Sequence, residues 1–360
     1  MKGNVTVVAG AQYGSEGKGV IVAHLADEYS IHIRVGGANA GHSFMYKGKK
    51  WKMQSIPCGW KNENATLIIG RGGMIEKDLI TREIEEIREV DPSIIDRLKI
   101  DEKTGVLSKK HKNIEGGTKG EFHLKIGSTG EGVGAARVAR VNRNPENFQH
   151  VKDVAHEIGG NGWELGQMMV KDTPQFLMER YEDGSKIMIE GTQGYGLSLI
   201  HGPWPFCTSH DTNASQMVAD VGLSPRVIDD IYLVCRSYPI RVWGNSGPMY
   251  KEISWDVISE RMGRRVEEKT TVTKKTRRIG SWDEKLFKEA VAVNRPTGVS
   301  INFLDYLCPE DEGIDDFDKL SRVSKDFMGY VRSLAKAPIW FVCTGWNEEK
   351  NDWIVIDMRK

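Results

Sequence analysis

The chain has 360 residues, with 50 Lys and Arg balanced by 50 Asp and Glu, so its formal net charge is zero. Hydrophobic residues make up 39% and charged residues 28%, which excludes a disordered or collagen-like chain. A general binder of nucleic acid or membrane surfaces would carry a basic excess, so any site for a polyanion must be local. We therefore expect neither nucleic acid nor membrane as a partner.

The five cysteines are far apart in the sequence and form no Cys-x-x-Cys pair. This pattern argues against a disulfide scaffold or a structural zinc site and favours a reducing compartment. The N-terminal residues show no apolar core of signal-peptide length, and no apolar stretch approaches the roughly 20 residues that span a bilayer. We expect a cytoplasmic protein.

The first predicted element is a short buried strand at residues 5–8, which leads into a glycine-rich loop at 10–19 and a helix at about 20–28. Further along the chain, apolar residues alternate between the spacing typical of strands and the spacing typical of helices. They predict strands at 186–189, 227–235, 299–304 and 339–343, and helices at 75–90, 284–293 and 320–334. This alternation predicts an α/β fold with a large, mostly parallel central sheet flanked by helices on both faces. Because we find no repeat and no linker, we predict one domain over residues 1–360, with insertions.

The loop from Gly10 to Gly19 has the layout of a phosphate site, because loop amides and a helix N-terminus both face an anion there. It departs from the Walker A pattern: Gln12 replaces the first glycine, and Gly19 replaces the hydroxyl residue that would bind Mg²⁺. Gly17 and Lys18 still supply free amides and a cation at the helix start. We predict a P-loop-like phosphate site; the alternative is an ordinary tight turn.

A second glycine cluster at residues 36–43 contains His42. A histidine among small residues behind a strand can act as an acid or a base near neutral pH. The alternative reading is a structural histidine.

Together these two clusters resemble the opening of the adenylosuccinate synthetase family. Segments at 126–134, 190–194, 201–209 and 271–280 resemble that family's later motifs, in the same order. The resemblance implies a ligase in which a nucleoside triphosphate phosphorylates O6 of a purine nucleotide, and the amine of L-aspartate then displaces the phosphate at C6. It also implies Mg²⁺ as cofactor.

The resemblance assigns roles residue by residue. The catalytic set is His42, Ser15, Lys18 and Gln193. The triphosphate set is Gly14, Glu16, Gly17, Lys18, Gly19, Gly41, His42, Ser43, Asp305, Thr344 and Gly345. The purine-monophosphate set is Ser15, Asn39, Ser128, Thr129, Arg143, Gln193, Leu197 and Thr208, with Arg143 reaching the partner site of a homodimer. The aspartate set is Thr271, Val272, Thr273, Lys275 and Arg277, and the metal set is Ser15 and Gly41.

Position 15 is the most informative departure from the family pattern, which has aspartate there as the base that takes the purine N1 proton. Serine is smaller, and its hydroxyl can accept a hydrogen bond from a 2-amino group beside N1. This replacement resembles the phage branch of the family that joins aspartate to dGMP for 2-aminoadenine DNA. We therefore expect dGMP and L-aspartate as substrates, in a host cytoplasm if the chain is phage-encoded.

Three alternatives stay open. One is an ordinary synthetase that uses IMP, aspartate and GTP. Another is an inactive nucleotide-binding regulator, which loss of the aspartate base would suit. The last is a generic P-loop ATPase, which the imperfect Walker A pattern and zero net charge disfavour.

Other departures affect the triphosphate and aspartate segments. Asp305 is present, but Phe303 replaces the lysine that lies along the guanine of GTP in the family, so we expect ATP or dATP as the phosphate donor. Lys275 stands where the family usually has arginine, which turns a fork-shaped contact into a point charge. The basic stretch 269–278 also permits readings as a solvated face or a nucleic-acid patch, although no aromatic residues are interleaved for base stacking. Nothing explains Glu131, where arginine is common.

Overall fold

The computed structural model describes residues 2–270 and 274–359. The strands within these residues are β1 (Asn4–Gly10), β2 (Ile31–Arg34), β3 (His42–Tyr46), β4 (Lys49–Met53), β5 (Thr66–Ile69), β6 (Met74–Glu76), β7 (Leu98–Asp101), β8 (Gly105–Leu107), β9 (Gln149–His150), β10 (Gly159–Gly160), β11 (Trp163–Glu164), β12 (Met169–Val170), β13 (Lys186–Glu190), β14 (Ile228–Arg236), β15 (Ile240–Arg241), β16 (Glu252–Ile253), β17 (Arg278–Gly280), β18 (Gly298–Asn302), β19 (Ile339–Asn347) and β20 (Asp352–Asp357).

The α-helices in the same residues are α1 (Lys18–His24), α2 (Lys77–Arg88), α3 (Ile94–Arg97), α4 (Lys109–Glu115), α5 (Glu121–Ile126), α6 (Val133–Val141), α7 (Val151–Val154), α8 (Thr173–Glu182), α9 (Ala214–Val221), α10 (Trp255–Met262), α11 (Glu284–Asn294) and α12 (Arg322–Ala335). None of these helices is long and apolar enough to cross a membrane.

Ten strands form the central sheet, in the order β12-β7-β5-β2-β13-β1-β14-β18-β19-β20. Neighbouring strands are parallel throughout, except that the edge strand β20 runs antiparallel to β19. In the middle of the sheet, Val7 of β1 pairs with Ile189 of β13 on one side and with Ile231 of β14 on the other. The predicted fold class is confirmed.

Apolar side chains on both faces of the sheet hold the helices in place. Val5 and Val7 belong to a core that includes residues of α8, α9, α11 and α12, whereas Val8 belongs to a second core with residues of α1 and α2. A strand buried on both faces gains from apolar residues at every position, which is why β1 reads as a continuous apolar run. Each fully buried valine of this kind contributes about 1.5–3 kcal/mol.

The strand and helix predictions agree with the structure to within a few residues, with one instructive difference. The helix predicted over 75–90 is α2, Lys77–Arg88, because residues 75 and 76 extend the small strand β6, which pairs with β8. The strand expected before the second glycine cluster is β2, whereas the short strands β5 and β7 were not predicted. The single domain over 1–360 stays a prediction.

The parallel strands place their carboxyl ends along one edge of the sheet, where α/β proteins bind ligands. β1 ends at the first glycine loop, β2 leads to the second glycine cluster, and β13 ends at Glu190 beside residues 191–194. β18 ends at Asn302, shortly before Asp305. The topology therefore gathers the sequence motifs at one place.

Candidate active site

A cavity of about 1010 Å³ opens at this edge of the sheet. Its size lies at the upper end of the range for small-molecule sites, which suits more than one substrate. The predicted site residues on its wall are Gly14, Ser15, Asn39, Gly41, His42, Ser128, Thr129, Gln193, Leu197, Thr208 and Arg277. The structure therefore brings together residues from six separate motifs.

The first glycine loop is organised around a buried carboxylate. Glu16 is fully buried, and its Oε1 accepts hydrogen bonds from the amides of Gln12 (2.9 Å) and Gly14 (2.8 Å). Its Oε2 accepts from Lys18 Nζ at 2.7 Å, and the same ammonium donates to the Gln193 carbonyl at 2.5 Å. Two of the loop amides and the lysine are thus already satisfied by the protein, so a phosphate must compete with Glu16 for them.

Two glycines of the loop are required by close packing. Gly17 has φ +88, and a Cβ there would lie 2.6 Å from the Asn302 amide nitrogen, which donates to the Glu16 carbonyl at 2.7 Å. Gly19 lies in the first turn of α1 and packs closely against the second glycine cluster. A Cβ at this position would lie 2.8 Å from His42 Cβ and 3.2 Å from the Ser43 amide nitrogen. The two glycine clusters therefore form one packed unit.

His42 is held by a buried carboxylate and an arginine. Its Nδ1 lies 2.5 Å from Glu190 Oε1, and Arg34 Nη1 donates to the same oxygen at 2.5 Å. Arg34 and Glu190 are register partners at the ends of β2 and β13. Because an ionised carboxylate can only accept a hydrogen bond, the contact that fixes the ring is Nδ1–H donated to Glu190. Nε2 is then the free ring atom, buried and without a partner among the described residues.

The charges in this group set the protonation of the ring. Burial alone would raise the pKa of Glu190, but Arg34 and then His42 lower it below its usual value, so the carboxylate is ionised. Burial, followed by the Arg34 charge, lowers the pKa of His42. With no phosphate nearby the imidazole is neutral, and an added anion would raise its pKa.

Ser15 lies on the cavity wall and contacts the predicted aspartate loop. Its Oγ accepts a hydrogen bond from Arg277 Nη1 at 2.6 Å, and its carbonyl accepts from Arg236 Nη1 at 3.0 Å. Glu268 accepts from Arg236 Nη2 at 2.6 Å and lies 3.9 Å from Arg277. Because Arg277 Nε has no partner among the described residues, this arginine retains donors for a substrate carboxylate.

The predicted donor-base residues lie outside the main cavity, behind the first loop. Asp305 is buried, and its Oδ1 has no partner in the described part of the chain. Gly345, at φ +93, packs against it: a Cβ there would lie 2.7 Å from Oδ2. Thr344 is fully buried and donates to the Ile314 carbonyl at 2.7 Å, so its hydroxyl is occupied. Phe303 places its ring 3.9 Å from the Arg236 guanidinium.

The predicted purine-monophosphate residues come from five separate segments between strands and helices. Gln193 has φ +56, and its Nε2 donates to Asn39 Oδ1 at 3.3 Å, while its Oε1 is buried without a partner in the described chain. The Thr208 amide donates to the Leu197 carbonyl at 2.7 Å, which holds these two wall residues together. The unpaired amide oxygen of Gln193 is a ready acceptor for a ligand.

Some predicted residues are not on the cavity wall. Arg143 is exposed, between the wall residues Asn142 and Asn144, and its side chain has no hydrogen bond or ion pair with the described residues. Lys275 lies behind the wall, with its ammonium over the ring of Trp243. Thr271, Val272 and Thr273 fall outside the described residues, so their contact with aspartate stays a prediction.

The sequence did not indicate several residues that organise this site. Arg34 and Glu190 end the strands β2 and β13; Glu190 opens the predicted segment 190–194, but its contacts with Arg34 and His42 were not predicted. Arg236 and Glu268 lie 32 residues apart and meet only through the fold. No sequence motif indicates that these two residues form an ion pair.

Comparisons with known proteins agree with this geometry. The profile of the adenylosuccinate synthetase family matches residues 7–161 and 146–315. The adenylosuccinate synthetase of Pyrococcus horikoshii is 35% identical over 342 residues, which cover 94% of this chain and 95% of the relative. That of Methanococcus vannielii is 36% identical over 345 residues, which cover 94% and 96%.

Two solved structures have the same fold. Succinoaminodeoxyadenylate synthetase of cyanophage S-2L, bound to dGMP and to dATP as an energy donor, has a TM-score of 0.79 at 26% identity, covering 96% of this chain and 93% of that chain. Fully ligated adenylosuccinate synthetase from Plasmodium falciparum has a TM-score of 0.82 at 23% identity, covering 98% and 100%, and supports the fold alone. The chain belongs to the adenylosuccinate synthetase family of carbon–nitrogen ligases, nucleotide-binding enzymes of purine biosynthesis.

Proposed function

We propose that this ligase joins L-aspartate to C6 of dGMP, consuming ATP or dATP, and produces N6-succino-2-amino-2′-deoxyadenylate. The observation that carries the proposal is Ser15, a neutral hydroxyl on the cavity wall where the family pattern has a carboxylate. The fold match to a phage enzyme that was solved with dGMP and dATP supports it.

Space and hydrogen bonding at Ser15 favour dGMP as the substrate. Guanine carries a 2-amino group beside N1, and a carboxylate facing N1 would crowd it. A hydroxyl is smaller and can accept a hydrogen bond from that amino group. Arg277 uses one lone pair of Ser15 Oγ, so the second lone pair and the hydroxyl proton remain for the base.

The reaction divides into two displacements. The γ-phosphoryl group passes from the triphosphate to O6 of the nucleotide, which loses its N1 proton to water, and the nucleoside diphosphate is released. The neutral amine of aspartate then attacks C6 and loses one proton, and inorganic phosphate leaves with the former O6 oxygen. Phosphoryl transfer depends mainly on positioning and charge neutralisation, for which we assign Lys18 and Gly41 with the remaining amides of the first loop.

His42 is the proposed general acid of the second step, in which the phosphate leaves C6. Glu190 fixes the ring through Nδ1, so Nε2 alone faces the site. The charges of bound phosphates raise the pKa of the ring and place a proton on Nε2. That proton is donated to the phosphoryl-O6 group as charge develops on it, a contribution of about 10²–10⁴-fold in rate.

Magnesium is the proposed cofactor, and it would supply charge neutralisation at the triphosphate. Mg²⁺ is usually bound by one or two protein oxygens together with substrate phosphates and water. Gly41, on the wall beside His42, fits this requirement. Ser15 does not, because its oxygen already accepts from the cationic Arg277, which would repel the metal. We therefore retain Gly41 and withdraw Ser15 as a metal ligand.

Asp305 is the proposed reader of the donor base. Burial, then the nearby Glu312 charge, raises the pKa of Asp305 to about 7. The protonated acid can donate to adenine N1 and accept from its 6-amino group, whereas the carboxylate suits the two donors of guanine. The raised pKa therefore supports an adenine nucleotide as donor at neutral pH and below.

A homodimer is also proposed, with Arg143 reaching the site of the second copy. The guanidinium is exposed and unpaired within the described residues, beside two residues of the cavity wall. Apolar side chains that remain exposed on the same side of the cavity are Ile114, Val138 and Val141. A second copy would cover them and bring its own Arg143 to this cavity.

The second candidate is an ordinary synthetase that uses IMP and GTP, which the archaeal relatives at 35% and 36% identity favour.

An experiment on purified protein separates the candidates. Each pairing of dGMP or IMP with ATP, dATP or GTP is incubated with aspartate and Mg²⁺, and the succinylated product is identified by mass spectrometry. We expect product from dGMP with ATP or dATP; turnover of IMP but not dGMP would refute the proposal. Binding of dGMP and ATP without any phosphate release would instead indicate an inactive regulator.

A further inference from the structure

Three segments meet at the cavity wall, where two side chains that no motif predicted contact Lys275. They are helix α5 with the following loop through Thr129, the turn at residues 242–247, and the segment at residues 274–278. The side chains at the junction are His123, Trp243 and Lys275. His123 is buried, at 5% exposure, although it is a histidine on a six-residue surface helix.

His123 connects two loops through its two ring nitrogens. Nδ1 lies 2.5 Å from the Ser128 carbonyl, and Nε2 lies 3.3 Å from Lys275 Nζ. A carbonyl can only accept, so Nδ1 carries the proton; an ammonium can only donate, so Nε2 is the acceptor. The ring thereby links the backbone of the proposed monophosphate loop to the cation of the proposed aspartate loop.

Trp243 fixes the same lysine from another direction. The Lys275 ammonium lies 3.8 Å from the centre of the Trp243 ring, which is within the range of a cation–π interaction. The His123 and Trp243 rings are nearly parallel, at 16°, with centroids 6.2 Å apart. The ammonium is therefore held by an aromatic face and a nitrogen lone pair instead of a carboxylate.

The turn that carries Trp243 is fastened to both neighbouring segments. Asn245 Nδ2 donates to the Lys125 carbonyl of α5 at 2.8 Å. On the other side, Arg278 Nη1 donates to Ser246 Oγ at 3.1 Å and to the Gly247 carbonyl at 2.8 Å. Gly127, at φ +68, approaches Ser246 so closely that a Cβ would lie 2.7 Å from the serine Cβ. The three segments are thus one mechanical unit.

We propose that His123 and Trp243 are positioning residues that couple the purine-monophosphate site to the aspartate site. This inference rests on the proposed function, in which Ser128 and Thr129 hold the nucleotide and Lys275 holds aspartate. A nucleotide that fixes Ser128 also fixes His123, and through it the Lys275 ammonium. The flexible lysine that replaces the family's arginine is thereby ordered when the nucleotide is bound.

The coupling is measured by binding. The Kd of dGMP is determined by calorimetry with and without saturating aspartate, for the wild-type chain and for variants. Coupling between two sites is reciprocal and typically about 5- to 150-fold, so aspartate should tighten dGMP binding by a factor in that range. We expect His123→Asn, which retains a donor for Ser128 but does not reach Lys275, to abolish the tightening. Trp243→Leu should do the same, whereas Trp243→Phe, which keeps an aromatic face, should restore most of it.

Steady-state kinetics provide the second measurement and its control. His123→Asn should raise the KM for aspartate about tenfold, a factor within the usual range of coupling, and leave the Kd of dGMP measured without aspartate nearly unchanged. Lys125→Gln lies on the same helix but alters only an exposed ion pair with Glu121, so it should behave as wild type. Unchanged coupling in both His123→Asn and Trp243→Leu would overturn the inference. A matching rise in the Kd of dGMP measured without aspartate would overturn it too, because it would indicate a general loosening of the cavity.

Failure of the inference is distinguishable from failure of the proposed function. If wild-type protein turns over IMP but not dGMP, the proposed substrate is wrong, and the same binding experiment with IMP still tests the coupling. If dGMP is turned over and the variants behave as wild type, the function stands and the coupling is refuted.

Discussion

Changing the pH should change which triphosphate this enzyme prefers as phosphate donor. The group responsible is Asp305, which is buried, lacks a partner for Oδ1 among the described residues, and has a pKa raised to about 7 by burial and then by Glu312. Because the pKa is raised, the acid form dominates below about pH 7 and the carboxylate above it. Adenine needs the acid as a donor to N1, and guanine needs the carboxylate as an acceptor.

The size of the effect follows from the titration. The ratio of acid to carboxylate falls tenfold for each pH unit, which is about 300-fold between about pH 6 and about pH 8.5. The ratio of kcat/KM for ATP to that for GTP should fall by up to the same factor. Titrations that both donors share, such as those of the phosphates, His42 and the aspartate amine, cancel in this ratio.

The assay compares ATP and GTP at several pH values, with the nucleotide and aspartate saturating. The matched variant is Asp305→Asn, whose amide offers one donor and one acceptor at every pH and so fits adenine permanently. We expect the wild-type ratio to fall with rising pH and the variant's ratio to stay constant in favour of ATP. A wild-type ratio that does not vary with pH would refute the assignment of Asp305 as a titrating reader of the base.

Three further predictions concern the main cavity. Ser15→Asp should lower kcat/KM for dGMP relative to IMP by about 10- to 200-fold, the range for a steric misfit of one small group; an unchanged ratio would count against the steric argument. His42→Gln should lower kcat by about 10²–10⁴-fold without lowering the thermal midpoint by more than a few degrees, and near-normal kcat would exclude the histidine as the acid. Arg143→Ala should raise the KM for dGMP, and mixing it with inactive His42→Gln should recover activity through hybrid dimers; additive activities on mixing would contradict a shared site.

The sequence was most informative where glycine and apolar patterns coincide. The buried strand β1, the glycine loop and α1 were predictable because a continuous apolar run, two backbone positions that need positive φ, and a lysine follow one another directly. The strands β13, β14, β18 and β19 were predictable because each contains a run of mostly apolar residues. The short strand β7 was not, because two of its four residues are lysine and aspartate, which resemble a surface loop until the neighbouring strands are known.

The sequence alone could not predict contacts between residues that lie far apart in the chain. His42 was identified as a candidate acid, but its carboxylate partner Glu190 lies 148 residues away and meets it only because β2 and β13 are neighbours. The carboxylate of Glu16 looked like a phosphate-loop residue, yet the structure uses it to bind the loop's own amides. His123 and Trp243 lie in no motif, so nothing in the sequence indicated that they contact Lys275.

The most direct test of the central claim is a product analysis of the purified protein with dGMP, L-aspartate, ATP and Mg²⁺, beside an identical reaction with IMP in place of dGMP. If the hydroxyl of Ser15 makes room for the guanine 2-amino group, mass spectrometry will show the dGMP-derived succinyl nucleotide forming with a kcat/KM above that of the IMP reaction. Succinylation of IMP alone would contradict the account and identify the chain as an ordinary synthetase.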